Sequence, residues 1–474
     1  MRVITGPLHK PLIVAQKMRL DDTIAAIATP LQPSGLGVIR ISGPQAVPVV
    51  EPLFKGGGKE LQKTETHKLI HGWIHDDGKL LDQVLVVVMR APHSFTTEDV
   101  VEIQCHGSPF ILRTILTLVL RQGARLAKAG EFTQRAFLHG RLDLTQVEAV
   151  SDLIHASSEI GAKLAAQQLC GKLFHAINQV KKQVVSIASL VEANIEFPEE
   201  DTEFTHRDDC LQRLNQASAD LENLLSHADR GRQIRDGFSV ALIGRPNVGK
   251  SSLLNTLLRE QRAIVTTIPG TTRDSIEESV QIQGLAFRLT DTAGIRKTED
   301  LIETEGIRRT QNVRDNADLV LLILDASEKL MDEDLSLISE IEQERTIVVL
   351  NKKDRMTGKR PIWHKEISGM DAVLISAKTE DGCDELESRL FAKAALGGLP
   401  QEDQTWITNR RQQHAAKQAL SALFSAREGL IQSNGEEFLA VDLRSCLNAL
   451  GEIVGETTTD DLLGQIFSEF CIGK

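Results

Sequence analysis

"FSVALIGRPNVGKS", Phe238 to Ser251, runs from a short apolar strand into a loop of the form G-x-x-x-x-G-K-S. The pattern predicts a helix directly behind it, over Ser252 to Leu258. Gly244 and Gly249 lack a Cβ, so backbone N–H groups can turn inward around phosphate oxygens. Asn247, Val248, Gly249 and Ser252 are expected to line that cradle. Lys250 reaches the β and γ phosphates, and the Ser251 hydroxyl supplies a Mg²⁺ ligand. A strand, a loop and a helix in that order are what this chemistry requires, and the sequence offers all three.

Three further strands are expected to end on matching pieces. "LAFRLT" runs into Asp291-Thr292-Ala293-Gly294, where Asp291 would hold Mg²⁺ through water and Gly294 would face the γ-phosphate. "TIVVL" runs into Asn351-Lys352-Lys353-Asp354. The Asp354 carboxylate accepts two hydrogen bonds from guanine N1–H and N2–H₂, which adenine does not offer. A site built on such bonds rejects the wrong base by roughly 10⁴–10⁵. "AVLIS" leads into Ser376-Ala377-Lys378, the loop that backs the base. Between the first loop and the sheet, "IVTTIPGTTRD" (Ile264 to Asp274) reads as switch I. Thr266, Thr267, Ile268, Pro269, Gly270, Thr271 and Thr272 are all expected at the nucleotide, with Thr272 a second Mg²⁺ ligand. All pieces sit at strand C-terminal ends, so the fold class here is α/β with a doubly wound sheet. GTP, not ATP, is the expected nucleotide. Many regulatory GTPases place a glutamine after Asp-Thr-Ala-Gly to orient the attacking water. Ile295 stands there instead, so another group must serve, and Glu299, Asp300, Glu303 and Glu305 follow it.

Outward from this centre the texture changes twice. Residues 21–131 carry short β-rich runs such as "GVIRIS" and "QVLVVVM", broken by Gly and Pro, and read as an α+β domain. Residues 132–236 and 396–474 show helical spacing, as in Leu144, Val147, Val150 and Ile154, and read as two parts of one helical domain. The acidic stretch Glu196 to Phe204 connects helices, because Pro198 breaks the pattern. Residues 237–395, the nucleotide-binding domain, are then an insertion between the helical parts. Residues 1–20 read as an N-terminal extension: Met1 to Arg19 contain no acid, and Met18 is an alternative start.

Composition narrows the function. A chain of 474 residues suggests about three domains. A net charge of -12 argues against a globally basic nucleic-acid binder, and the absence of Tyr leaves few stacking platforms. Six widely spaced cysteines form neither a disulfide framework nor a zinc pattern, so a reducing cytoplasm fits. No apolar run is long enough for a membrane span.

The outer segments add a resemblance. "DTIAAIATP", "GVIRISG", "GEFTQRAFLHGRLDLTQVEA", "GRPNVGKSSLLN", "AIVTTIPGTTRD", "DTAGIR" and the terminal "DDLLGQIFSEFCIGK" resemble the tRNA uridine-5-carboxymethylaminomethyl modification GTPase, or MnmE (TrmE), family from Asp21 to Lys474. The resemblance implies a homodimer joined through a tetrahydrofolate-binding-like N-terminal domain. It also implies K⁺-activated GTP hydrolysis, and a flavin-containing (FAD) partner of the MnmG/GidA family that forms a heterotetramer or larger complex with it. The substrate would be the wobble uridine of tRNA. Asn247, Thr266, Ile268 and Thr271 would be K⁺ ligands, and Glu303 the catalytic group that orients water.

The final residues, "CIGK", pose a separate question. A prenylation box needs two aliphatic residues after its cysteine, and Gly473 and Lys474 do not fit. The resemblance instead places Lys474 at a site for 5-formyltetrahydrofolate or a relative, with Arg40, Glu102 and Arg141. Cations there suit the folate's glutamate carboxylates, while Glu102 suits its pterin donors. The family often has Lys where this chain has Arg141. Cys471 is a candidate catalytic thiol without a visible base. The rival reading is a ribosome-assembly or other RNA-associated GTPase switch, which would have no folate pocket.

Overall fold

The computed structural model describes residues 21–58, 60–196, 207–260, 277–291, 313–356, 367–401, 404–432 and 435–474. Switch I, Thr292, Ala293, Gly294 and Glu303 therefore lie outside the described residues, as does most of the acidic connection after Glu196.

Two sheets organise the chain. The first contains β1 (Ile24–Ile27), β2 (Ser34–Ser42), β3 (Phe54–Gly56), β4 (Leu69–Asp76), β5 (Lys79–Met89), β6 (Val100–Gly107) and β7 (Arg125–Leu126). Its order is β3-β4-β5-β6-β2-β1-β7, antiparallel throughout except for β1 with β7. Asp77-Gly78 supplies both positive φ angles of the two-residue turn between β4 and β5. Val84, Val86 and Val88 point into a core capped by α1 (Ala46–Val50) and α2 (Pro109–Arg121), as period-two alternation demands. The other face of the sheet exposes Leu69, Trp73 and Leu85.

Helices follow: α3 (Glu131–Leu138), α4 (Leu144–His155), α5 (Glu159–Leu169), α6 (Lys172–Glu196), α7 (Arg207–Ser226) and α8 (Ala228–Asp236). The first of these begins one residue before the boundary expected from sequence, behind Gly130 in the left-handed region.

The second sheet contains β8 (Phe238–Ile243), β9 (Glu277–Ile282), β10 (Leu285–Asp291), β11 (Leu319–Asp325), β12 (Thr346–Asn351) and β13 (Ala372–Leu374). Its order is β13-β12-β11-β8-β10-β9, parallel except for the edge strand β9. Order reverses at β8, so its C-terminal end opens a crevice where ligands bind in such sheets. The associated helices are α9 (Lys250–Glu260), α10 (Asp332–Glu340) and α11 (Cys383–Ala395). Val240 and Leu242 pack on one face with Leu253, Leu257, Leu386 and Leu390, while Ala241 and Ile243 pack on the other. Burial on both faces explains the unbroken apolar run of β11. The helix behind the phosphate loop starts at Lys250, two residues earlier than the sequence pattern suggests. Gly249, at φ +103°, closes the loop, and its carbonyl accepts the first helical bond from Leu253 N–H.

The chain ends in α12 (Arg410–Ile431), α13 (Glu436–Val454) and α14 (Asp460–Ser468). By its contacts the chain forms two compact units. One comprises residues 1–151, 168–218 and 415–474, and the other residues 152–167 and 219–414. Among the described residues no helix is long and apolar enough to cross a membrane.

Candidate functional sites

At the end of β8, Gly244 (φ +148°) passes so close to β11 that a Cβ would lie 2.4 Å from the Ile323 carbonyl oxygen. Gly249 is equally confined, with its Cβ position 2.3 Å from Asn351 Nδ2. The loop must therefore be glycine at both points. Lys250 is buried, and its Nζ donates to the carbonyls of Gly244 at 2.7 Å and Arg245 at 2.8 Å. The ammonium is thus held over the mouth of the loop. Ser251 Oγ donates to Asp291 Oδ2 at 2.9 Å, bringing the hydroxyl and the carboxylate together from two different elements. An oxygen pair of this kind, beside a lysine at the start of a helix, suits a hydrated Mg²⁺ and a phosphate chain.

A cavity of about 370 Å³ opens beside the loop, lined by Gly249, Ser252, Asn351, Lys352, Asp354 and Lys378 among others. Asn351 braces it: its Nδ2 donates to Val248 O at 2.9 Å, and its Oδ1 accepts from Ala377 N–H at 3.0 Å. One buried amide thereby ties the phosphate loop to the loop behind the base. Asp354 Oδ1 accepts from Ser376 Oγ at 2.7 Å, and that bond holds the Asp354 carboxyl below the usual carboxylate range. Asp354 stays ionised at neutral pH and exposed on the cavity rim, so both its oxygens are available as acceptors for N–H donors. Asn247 is exposed in the left-handed region, at φ +64°.

Sequence reasoning missed several residues of this site. Thr256 Oγ1 donates to Ala377 O at 2.8 Å, anchoring the base loop to α9. Gly382, at φ +83°, lets that loop turn under Leu374 O. Arg245 pairs with Glu328 at 2.6 Å and Asp334 at 3.2 Å. Asp325, at the end of β11, pairs with Lys352 Nζ at 2.6 Å. Its position carried a signal, since every motif already recognised lies at a strand C-terminal end.

A second constellation forms on the first sheet. Arg40 and Glu102 face each other directly across β2 and β6, and Arg40 Nε lies 2.7 Å from Glu102 Oε1. Arg40 Nη1 donates to Gly473 O at 3.2 Å, so the tail reaches this pair. The tail is fastened by backbone: Ile472 bridges Ala129, and Phe132 N–H donates to Lys474 O at 3.2 Å. Upstream, Leu463, Phe467 and Phe470 pack on Phe137, Leu144 and Val147. Arg141 lies on the loop beside them, its guanidinium donating to Ser94 O and standing 5.4 Å from the Phe95 ring centre. The structure thus joins Arg40, Glu102 and the tail through direct contacts, and it ties Arg141 to the 94–95 loop. Cys471 is exposed. Burial pushes the thiols of Cys105 and Cys446 up to about 12 and that of Cys210 to about 11, which keeps all three protonated and unreactive.

A charge cluster supports this region. Arg135, with a side chain 2% exposed, contacts Asp22 at 2.6 Å, Glu98 at 3.1 Å and Glu131 at 3.2 Å. Arg125 adds bonds to Asp22 and Glu131. Burial raises the Asp22 and Glu131 carboxyls, but the arginine hydrogen bonds outweigh it and hold both below their ordinary values.

A parallel sheet with a glycine-confined phosphate loop, a lysine, a Ser–Asp pair and an Asn-Lys-x-Asp pocket defines a P-loop GTPase, here carried by a chain with helical segments and an α+β N-terminal region. Residues 23–141 match the family described as GTP-binding protein TrmE N-terminus, and residues 144–471 that described as MnmE helical domain. The chain is 42% identical over 462 residues to tRNA modification GTPase MnmE of Desulforamulus reducens, covering 96% of this chain and 100% of that one. It is 44% identical over 454 residues to the protein of that name in Lactococcus lactis, covering 96% and 98%. A solved structure of the G domain of the T. maritima FeoB iron transporter covers 33% of this chain and 98% of its own, at 28% identity and a TM-score of 0.26. This chain belongs to the MnmE family of tRNA modification GTPases.

Proposed function

We propose that this protein is a K⁺-activated GTPase that works with a flavin-containing partner of the MnmG/GidA family. Together they place a carboxymethylaminomethyl or aminomethyl group on C5 of the wobble uridine of tRNA, in the cytoplasm. The observation that carries the GTPase part is the convergence of Lys250, the Ser251–Asp291 pair, Asn351 and the Asp354–Ser376 pair around one cavity. In this reading Lys250 and the loop N–H groups hold the phosphates. Asp354 reads guanine, with Lys352, Ala377 and Lys378 around the base. Mg²⁺ at Ser251 and Thr272 would neutralise phosphate charge, and K⁺ at Asn247, Thr266, Ile268 and Thr271 would add positive charge where other GTPases use an arginine. Glu303 orients the attacking water. Hydrolysis drives a conformational change and takes no part in the chemistry on the base.

The domains in this reading are 21–131, a G domain at 237–395, and a helical domain from 132–236 and 396–474. The first mediates homodimerisation, and the exposed row Leu69, Trp73 and Leu85 gives it apolar surface to bury. Arg40, Glu102, Arg141 and Lys474 hold a tetrahydrofolate derivative such as 5-formyltetrahydrofolate. An acid and a cation held side by side on a sheet face beside the tail fit the mixed donors and carboxylates of such a molecule. Cys471 is the thiol at that site.

Two measurements test the proposal. GTP hydrolysis is expected to be faster in K⁺ than in Na⁺ and to be absent with ATP; equal rates in both salts would remove the K⁺ element. Equilibrium dialysis with 5-formyltetrahydrofolate is expected to show binding to the full chain that weakens when Cys471 to Lys474 are deleted. A folded full chain that fails to bind folate would leave a GTPase with another client.

A further inference from the structure

Asp325 occupies a place that no strand-end motif accounts for. It closes β11, its side chain is 2% exposed, and its two oxygens have separate tasks. Oδ2 takes the Lys352 ammonium at 2.6 Å, while Oδ1 accepts from Ser327 N–H at 3.0 Å and Ser327 Oγ at 2.7 Å. Burial would raise this carboxyl, but Lys352 and Ser327 together hold it below the usual range. Lys352 itself has φ +66°, a left-handed backbone that a long side chain rarely adopts. That conformation is maintained by neighbours. Lys353 N–H donates to Ile375 O at 3.0 Å, and Asn351 O accepts from Ala326 N–H at 2.8 Å. Asp325 is the one of these partners that grips the lysine's far end.

The same strand end also borders the phosphate loop. Gly244 lies against the Ile323 carbonyl, and the Arg245 guanidinium feels the Asp325 charge among those of its nearer partners, Glu328 and Asp334. The end of β11 therefore stands between the loop that takes phosphates and the loop that takes the base.

We propose that Asp325 is a positioning residue for nucleotide binding: it anchors the Lys352 ammonium so that the lysine's methylene stem forms a fixed wall of the base cavity. A straight alkyl stem pinned at both ends offers a flat apolar face to a purine ring, and it loses little freedom when the ring arrives because the anchor has already ordered it. Without the anchor, that ordering falls on nucleotide binding, so affinity drops. Phosphate chemistry is untouched. This inference rests on the GTPase reading of the cavity.

The test is a double-mutant cycle on the full chain with Asp325→Asn and Lys352→Met, reading GDP affinity by titration and GTP hydrolysis by phosphate release. Asparagine keeps the shape and the acceptor for Ser327 but removes the charge. Asp325→Asn is expected to weaken GDP binding about tenfold, which corresponds to about 1.4 kcal/mol. Its loss should appear in KM for GTP, not in kcat at saturating substrate. Lys352→Met should weaken binding similarly, and the double variant no more than the worse single one. A partly unfolded variant would lower kcat in proportion to the inactive fraction, so the KM-against-kcat split separates positioning from loss of fold. Unchanged GDP affinity in Asp325→Asn, or losses that add in the double variant, would overturn the inference. Failure of the unaltered chain to bind GDP would instead overturn the GTPase reading.

Discussion

Lys250, Ser251, Asp291, Asn351 and Asp354 all stand at or just beyond the ends of parallel strands in one sheet, whereas Arg40 meets Glu102 across an antiparallel pair and meets Gly473 from 433 positions along the chain. In the first site a loop shaped by glycines that nothing larger can replace meets side chains delivered by neighbouring strand ends. In the second, the surface is side chains plus a tail fastened by a few backbone bonds. A site at a topological switch point comes with the fold, because strand order itself opens the crevice. A site on a sheet face must be assembled from distant segments, and it depends on the packing that delivers them. Phe467 and Phe470 do that work for the tail.

Arg135→Ala should break the comparison hardest. It leaves the carboxylates of Asp22, Glu98 and Glu131 short of a buried partner, a loss of about 3–5 kcal/mol. Denaturant unfolding is expected to show the unit containing residues 1–151 melting early while GDP binding persists; simultaneous loss of both would mean the two sites share one folding unit. Lys250→Ala should do the reverse. Hydrolysis is expected to fall by roughly 10²–10³, read by phosphate release, with folate binding by dialysis unaltered. Gly473→Ala sharpens the tail's part. At φ +101°, with its Cβ position 2.4 Å from Ile27 O, the residue has no room, and the strain costs about 1–3 kcal/mol. Folate affinity should fall while the GTPase rate stays within about twofold.

The smallest expected effect is on acid stability. The Asp22 and Glu131 carboxyls are held below their ordinary values in the folded chain, so their contribution is complete above the unfolded values, roughly 4, and is lost as pH falls through the folded ones. Thermal midpoints measured between about pH 5 and pH 3 should decline, and less steeply in Arg125→Ala, which removes the leading hydrogen bond behind both depressions.

The difference between the sites also governs what the sequence discloses. The nucleotide site is written in contiguous words: each strand is followed directly by its loop, so β8 was legible to the residue, and β10 and β12 to within one. The start of α9 was misjudged because the helix begins inside the Gly-Lys-Ser word, where the phosphate motif hides the helical one. Asp325 went unread because an aspartate ending an apolar strand has no fixed neighbour in sequence; its partner, Lys352, lies 27 positions along the chain and is brought beside it by the pairing of β11 with β12. Arg40, Glu102 and the tail had no local pattern at all. They were legible through resemblance to a family, since no periodicity predicts that β2, β6 and the last four residues meet. The Arg135 cluster was similarly silent, its members scattered from Asp22 to Arg135.

The interleaving of the two compact units sets an order on how this chain comes into being during synthesis. The unit with the parallel sheet needs residues 152–167 and 219–414, so its last piece leaves the ribosome before residue 415. The other unit begins first, with the antiparallel sheet, yet stays open until residues 415–474 arrive with α13 to pair with α6 and the tail to bridge Ala129. At roughly 5–20 residues per second, the newborn chain spends some tens of seconds with its first-made sheet waiting for its last-made helices. The part translated earliest is thus the part finished last, and in that interval Phe137, Leu144 and Val147, which later pack on Leu463, Phe467 and Phe470, are what a chaperone would meet.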